Sequence, residues 1–177
     1  MSLTFEVATL DDESTIRALQ DEAIAWLATR GTDQWQPAAM QQRLKHRGSD
    51  RGLVPAIGRG EVFMVREGGK VVGSLTIDDY ADPEFWRPED DPASALYVHR
   101  MIVSRSVAGR DIGGAMLEWC ASEALRRGRD TLRLDAWRTN HDLHRYYQRH
   151  GFRIVRTVNL PHRGSGVLLE RVLRSEG

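Results

Sequence analysis

The residues able to do chemistry lie mostly in the second half of the chain. Val98-His99-Arg100-Met101-Ile102-Val103 reads as a strand, and it runs into a turn holding Gly109, Gly113 and Gly114 that opens directly into a helix. Glycines let a backbone approach a ligand closely. The unpaired N–H groups of a helix N-terminus, at the positive end of its dipole, favour phosphate. Arg105 and Arg110 flank this turn and can neutralise added negative charge. Neither G-x-G-x-x-G nor G-x-x-x-x-G-K-[ST] occurs, which argues against a dinucleotide fingerprint and against a P-loop. Further on, Tyr146 and Tyr147 sit in a helical segment before Gly151-Phe152. A tyrosine is protonated at neutral pH and can give its proton to a leaving group. His99 is the best single candidate for a base, since imidazole titrates near neutrality; a histidine satisfied within a sheet is its blander role.

Other side chains read two ways. Asn140 suits a helix N-cap. Asp78, Asp79 and Tyr80 can line an acceptor pocket and hold a cationic amine, or form a solvated turn. Trp26, Trp35 and Trp137 suit pocket walls, although burial in a core is the commoner fate of tryptophan. His141, His144 and His150 stand near Asp142, but spacing places no further ligand, so no metal site is assigned. Cys120 falls on an apolar helix stripe and reads as packing. Gly164-Ser165-Gly166 is not G-x-S-x-G, and Arg126-Arg127-Gly128-Arg129 suits the C-terminal end of a helix dipole.

These residues need a scaffold, and the hydrophobic periods supply one. Alternation predicts strands over 3–7, 61–66, 71–77, 96–103, 132–135, 152–158 and 167–173, with Gly68-Gly69 as a hairpin turn. Helical spacing predicts a helix opened by Asp11-Asp12-Glu13-Ser14 and stopped at Gly31, and another beginning after Pro37 and passing Met40 and Leu44. The longest amphipathic helix spans 109–127, and a last one spans 141–149. The proline- and acid-rich stretch 82–92 reads as a surface loop. The order β-α-α-β-β-β-α-β-α-β-β is that of a mixed α/β domain, with a parallel crossover centred on 96–135.

Composition sets the boundaries. A chain of 177 residues predicts a single domain over 1–177. Twenty-five basic side chains balance 25 acidic ones, which argues against nucleic acid or an anionic membrane as a general partner. One cysteine rules out a disulfide framework and a cysteine-rich metal site. No apolar run reaches a membrane span, and Met1 to Val7 lack the basic start and apolar stretch of a signal peptide. A cytoplasmic location is the expectation, and exposed strand edges at the C-terminus make a homodimer compatible with the pattern.

At the strand–turn–helix the sequence resembles the GNAT superfamily of acyl-CoA N-acyltransferases, whose turn reads roughly V-x-P-x-x-[QR]-G-x-G-x-[GA] after the fourth strand. Two registers are open. Arg110-Asp111-Ile112-Gly113-Gly114-Ala115 fits the core [QR]-x-x-G-x-[GA] literally. Counting from Val103, and matching Ile112, Met116 and Leu117, puts Ala108 at the Gln/Arg position, Asp111 at the first glycine and Gly113 at the second. Strand end and helix phase both favour the second register. Asn140 to Phe152 is similar to the family's N-x-x-A-x-x-x-Y-x-x-x-G-F segment: Asn140, Tyr147, Gly151 and Phe152 match, and Leu143 replaces the small residue.

The resemblance implies a GNAT-like central mixed, splayed β-sheet flanked by helices, with an acyl-CoA-binding core at about 96–157. It implies acetyl-CoA as donor cosubstrate and direct attack by a primary amine of a small molecule or peptide. The backbone of Met101, Ile102 and Val103 would pair with the pantetheine arm as an added strand. Ala108, Gly109, Arg110, Asp111, Ile112, Gly113 and Gly114 would cradle the pyrophosphate, and Asn140 would touch the pantetheine arm or the strand backbone. Tyr147 would protonate the leaving thiolate, with His99 as base. An acid at 111 and an alanine at 108 motivate the alternative of a non-catalytic acyl-CoA binding or sensing domain.

Overall fold

The computed structural model describes residues 2–37 and 51–173. Seven strands form one sheet: β1 (Leu3–Val7), β2 (Val62–Glu67), β3 (Lys70–Asp78), β4 (Ala95–Val103), β5 (Thr131–Trp137), β6 (Arg153–Thr157) and β7 (Ser165–Val172). Their spatial order is β1-β2-β3-β4-β5-β7-β6. All neighbours pair antiparallel except β4 and β5, which are joined by the crossover helix. The α-helices that lie among the described residues include α1 (Glu13–Leu27), α2 (Leu53–Gly58), α3 (Ile112–Arg126) and α4 (His141–Arg149).

Alternating side chains of β2 show how the layers are made. Phe63 and Val65 join the large core with Leu96, Val98, Leu132 and Leu134, packed by Met116, Leu117, Cys120 and Ala124 of α3 and by Tyr147 of α4. Val62 and Met64 point to the other face, where Ile16 of α1 and Leu53, Ala56 and Ile57 of α2 cover them. The sheet is thus buried on both sides, with α3 and α4 on one and α1 and α2 on the other.

The sheet comes apart at its centre. Parallel pairing of β4 with β5 covers only Ala95↔Thr131, Leu96↔Leu132 and Tyr97↔Arg133. β4 then continues to Val103 and β5 to Trp137 with no pairing between them. A bulge accompanies the divergence: between Ile102 and His99 β4 spends one residue more than β3, and Arg100 takes φ = 47°. An extra residue bends its strand and sharpens the twist. Irregular register at Ala136/Trp137 of β5 adds to the opening.

Three local expectations change. The crossover helix begins at Ile112, later than 109, because Arg105–Val107 form a 3-10 turn and Gly109 and Asp111 are left-handed. The loop 82–92 is not only surface: Phe85 and Trp86 are buried with Ala95, Tyr97 and Leu168. Its acids are met by arginines, Asp82 by Arg163 at 2.8 Å and Asp90 by Arg156 at 2.6 Å. The C-terminal strand β7 lies inside the sheet, so the exposed edge belongs to β6. β7 is buried continuously from Gly166 to Glu170, as a strand covered on both faces must be. The helix expected after Pro37 lies outside the described residues. No helix among the described residues is long and apolar enough to cross a membrane.

Candidate active site

The opening between β4 and β5 is the centre of a cleft of about 630 Å³. Val98 to Val103 line one wall, and Leu134, Asp135, Ala136 and Trp137 line the other. From Val98 onward the β4 edge that faces β5 carries backbone donors and acceptors with no strand opposite. An extended, amide-bearing chain can pair with such an edge as an added strand.

At the end of β4 the turn closes onto α3. Ser104 accepts the Ser106 N–H and begins the 3-10 turn, Gly109 takes φ = 83°, and Asp111 takes φ = 54°. A left-handed residue is where glycine is the usual occupant, and a short polar side chain that bonds locally is the tolerated exception. Asp111 does so as the α3 N-cap: its carboxylate accepts the Gly114 N–H at 3.3 Å, the Tyr146 hydroxyl at 2.8 Å, and contacts His150 Nε2 at 3.2 Å. This explains the glycines that follow. A Cβ on Gly113 would stand 2.6 Å from the Tyr146 hydroxyl, and one on Gly114 would stand 2.5 Å from the Asp111 carboxylate and from His150 Cε1. Burial, and then the Asp111 carboxylate, push the Tyr146 phenol up, so it remains a donor.

Two titratable groups face the opening from opposite sides. Tyr147, on α4, is 7% exposed, and among the described residues no side chain or backbone group hydrogen-bonds its hydroxyl. Burial pushes its phenol up, with the negative charge of Asp135 next and Cys120 after it. Such a hydroxyl keeps its proton and has no protein partner to give it to. Across the cleft, His99 Nε2 lies 2.9 Å from Asp78 Oδ1. Asp78 is buried and also accepts the Tyr80 N–H at 3.0 Å, which fixes its carboxylate. A carboxylate accepts only, so His99 donates from Nε2, and in the neutral imidazole the lone pair is on Nδ1. The register explains the pairing: Thr76 stands opposite His99 and Asp78 opposite Tyr97, so Asp78 and His99 are diagonal neighbours on one face.

The segment after α1 closes another side. The Asp33 carboxylate accepts the Trp137 indole N–H at 2.8 Å and the Thr139 hydroxyl at 2.6 Å, and these bonds hold it below the usual carboxylate range. Gln34 accepts from the Asn140 side-chain amide at 2.7 Å, while Asn140 Oδ1 caps α4 through the Leu143 N–H at 3.2 Å. Trp26, Trp35 and Trp137 all line the cleft. Trp137 is pressed flat against Gly164, where a Cβ would meet its ring at 2.0 Å.

A protein-family model described as the acetyltransferase (GNAT) family matches residues 18–152. The chain belongs to the GNAT acetyltransferase family. It is 27% identical over 151 residues to an uncharacterized N-acetyltransferase, YesJ, of Bacillus subtilis strain 168, covering 84% of this chain and 80% of that one. Among solved structures, an acetyltransferase of the GNAT family from Listeria monocytogenes 4b F2365 superposes with a TM-score of 0.72 at 24% identity, over 97% of this chain and 95% of that one. A PaiA N-acetyltransferase from Thermoplasma acidophilum, solved in complex with coenzyme A, superposes with a TM-score of 0.68 at 15% identity, over 97% and 99%. These likenesses show the same fold, a mixed sheet with flanking helices.

Within this GNAT acetyltransferase, most residues singled out in the sequence meet at one place. His99, Met101, Ile102, Val103, Ala108, Gly109, Asp111, Ile112, Gly113, Asn140 and Tyr147 all line the cleft. Arg110 and Gly114 do not. Arg110 turns to the buried Glu67, donating to both carboxylate oxygens at 2.8 and 2.9 Å, and Gly114 lies beneath the Asp111 carboxylate. The cations beside the turn are Arg105, stacked on Trp26 at 4.0 Å, and Arg149, 5.8 Å from the Tyr146 ring. The sequence singled out Tyr147 over Tyr146 and assigned Arg149 no role; their spacing from Tyr147 and Asn140 carries no sign of what faces α3. His144 is buried and bonds the Trp137 carbonyl at 2.7 Å, a structural contact, and burial lowers its pKa. Among the described residues, no group of three or more His, Cys, Asp or Glu is arranged to hold a metal ion.

Proposed function

We propose that this acetyltransferase moves the acetyl group of acetyl-CoA to a primary amine of a small molecule or peptide by direct attack. One observation carries the reading: a single cleft holds a tyrosine hydroxyl without a hydrogen-bond partner among the described residues, an aspartate-oriented histidine and an unpaired strand edge. The solved PaiA N-acetyltransferase with coenzyme A, and a YncA acetyltransferase from Salmonella typhimurium solved with acetyl-CoA at 17% identity, support the choice of donor.

In this reading the backbone of Met101, Ile102 and Val103 pairs with the pantetheine amides. The turn from Ala108 to Gly113, with Arg105 and Arg149 beside it, receives the phosphates. His99, held by Asp78, takes a proton from the ammonium form of the acceptor, and the free amine attacks the thioester carbonyl. Backbone N–H groups on the open edge of β4 stabilise the oxyanion. As the C–S bond breaks, Tyr147 gives its proton to the coenzyme A sulfur, and the proton shed by the attacking nitrogen as it becomes an amide restores the phenol. An acyl-cysteine route has no support: the only cysteine, Cys120, is packed in the core, and burial pushes its thiol up to about 12.

The wider setting belongs to the same proposal: one domain over 1–177, working in the cytoplasm. A homodimer through the open edge of β6 is supported by half-exposed Ile154, and sedimentation at micromolar concentration tests it. For the activity, the test is incubation with acetyl-CoA and a panel of amines and amino-terminal peptides, reading free thiol and acetylated product by mass spectrometry. Acetylated product with equimolar thiol is expected. Absence of both, together with no thermal stabilisation by saturating acetyl-CoA, overturns the reading. Stabilisation without product on any amine selects the acyl-CoA-binding alternative.

A further inference from the structure

The space in front of the α3 N-terminus, where the proposed function puts the coenzyme pyrophosphate, is filled by the chain's own side chains. Three contacts converge on one oxygen of Asp111: the Gly114 N–H at 3.3 Å, the Tyr146 O–H at 2.8 Å and His150 Nε2 at 3.2 Å. A backbone amide, a hydroxyl and an imidazole nitrogen gathered on one oxygen form the set that would serve a phosphate oxygen. The Asp111 side chain is 59% exposed and its residue lines the cleft, so it is not locked in place by burial. Gly113 and Gly114 are needed here by the chain's own groups, since a Cβ on either would strike Tyr146, Asp111 or His150 within about 2.6 Å.

We propose that Asp111 is a built-in anion that competes with the coenzyme: its carboxylate occupies the phosphate donors until the pyrophosphate displaces it, and Tyr146 and His150 then donate to the phosphate. This rests on the acetyl-CoA reading above. Rotation of the Asp111 side chain would expose the Gly114 N–H, the Tyr146 O–H and the His150 imidazole together. The carboxylate lowers affinity twice, by holding the donors and by repelling the phosphates at short range. The same residue caps α3, so it stabilises the unliganded chain while it weakens coenzyme binding. A purely structural cap would do the first and not the second.

Calorimetric titration of acetyl-CoA into the full chain, beside thermal unfolding without ligand, separates these roles. Asp111→Gly is expected to tighten acetyl-CoA binding by about tenfold, near the interaction of one screened charge pair, while lowering the unliganded Tm. Asp111→Asn keeps a side chain that tolerates the left-handed conformation and can still cap, and it should tighten binding severalfold with little change in Tm. This covers the case in which the glycine variant folds poorly. S-acetylpantetheine, which lacks the pyrophosphate, should compete with unchanged affinity in every variant. Adding Tyr146→Phe to either variant should weaken acetyl-CoA binding again. Equal or weaker acetyl-CoA binding in both Asp111 variants overturns the proposal, as does an equal gain for S-acetylpantetheine. Wild-type chain and variants that all fail to bind acetyl-CoA overturn the functional reading itself, a result distinct from tight wild-type binding that Asp111 does not limit.

Discussion

Tyr147 and His99 differ in how their surroundings prepare them. The tyrosine is prepared by isolation, since burial raises its pKa and no group among the described residues takes its proton. Tyr147→Phe should therefore lower kcat about 10²-fold while leaving the acetyl-CoA Kd within about twofold, read by steady-state kinetics and titration. The histidine is prepared by a partner. Asp78→Asn keeps the shape of the Asp78 side chain but no longer requires the His99 proton on Nε2. A fall in kcat of about tenfold or more is expected, again with coenzyme affinity preserved. A loss confined to KM would reassign the pair to acceptor binding. Both residues were legible as candidates, because a tyrosine before G-F and a histidine in a strand are chemical types at particular places. The role of Asp78 was not, because its link to His99 spans 21 residues and exists only through the register of β3 on β4.

At the scale of elements, the loop between β3 and β4 shows how charge can hold an irregular segment. Asp90 is held down at about 2, first by its hydrogen bonds from Arg156 and then by the Arg87 N–H and nearby positive charge, against the cost of burial. Arg156 also donates to the Phe85 carbonyl at 2.6 Å, so one β6 side chain ties down two points of the loop. The folded pKa lies below the ordinary value of 3.8, so this contribution is complete above about pH 5 and is lost as pH falls from about 4 to about 2. Chemical denaturation across that window should show a steeper loss in the wild type than in Asp90→Asn, which has no charge to lose. Arg156→Met should cost about 1–3 kcal/mol at neutral pH, since it leaves a half-buried carboxylate without its guanidinium and the Phe85 carbonyl without that donor. Prolines and acids marked this stretch as a loop. They did not reveal that Phe85 and Trp86 anchor it, because two aromatic residues without a period carry no direction until Tyr97 and Leu168 are placed beside them.

For the whole molecule, one core determines whether the cleft exists. Leu117 of α3 is fully buried between the helix and the sheet, in the cluster that also holds Leu96, Leu132 and Tyr147. Leu117→Ala should cost about 2–5 kcal/mol by calorimetric or denaturant unfolding. Its effect on activity at low temperature should be small, as the cavity lies behind the reacting groups. Local chemistry alone determined the order of strands and helices, the capping role of Asn140, the turn into α3 and the pattern of a GNAT acetyltransferase, because period, capping and turn propensity are written within a few residues. Only the tertiary structure decided that β4 and β5 part after Tyr97 and Arg133, that β7 slips between β5 and β6, and that the Asp111 carboxylate meets Tyr146 and His150 in front of α3. Those outcomes depend on a strand bulge, on pairings between distant segments and on the rotation of one helix against another, and none of these is a property of neighbouring residues.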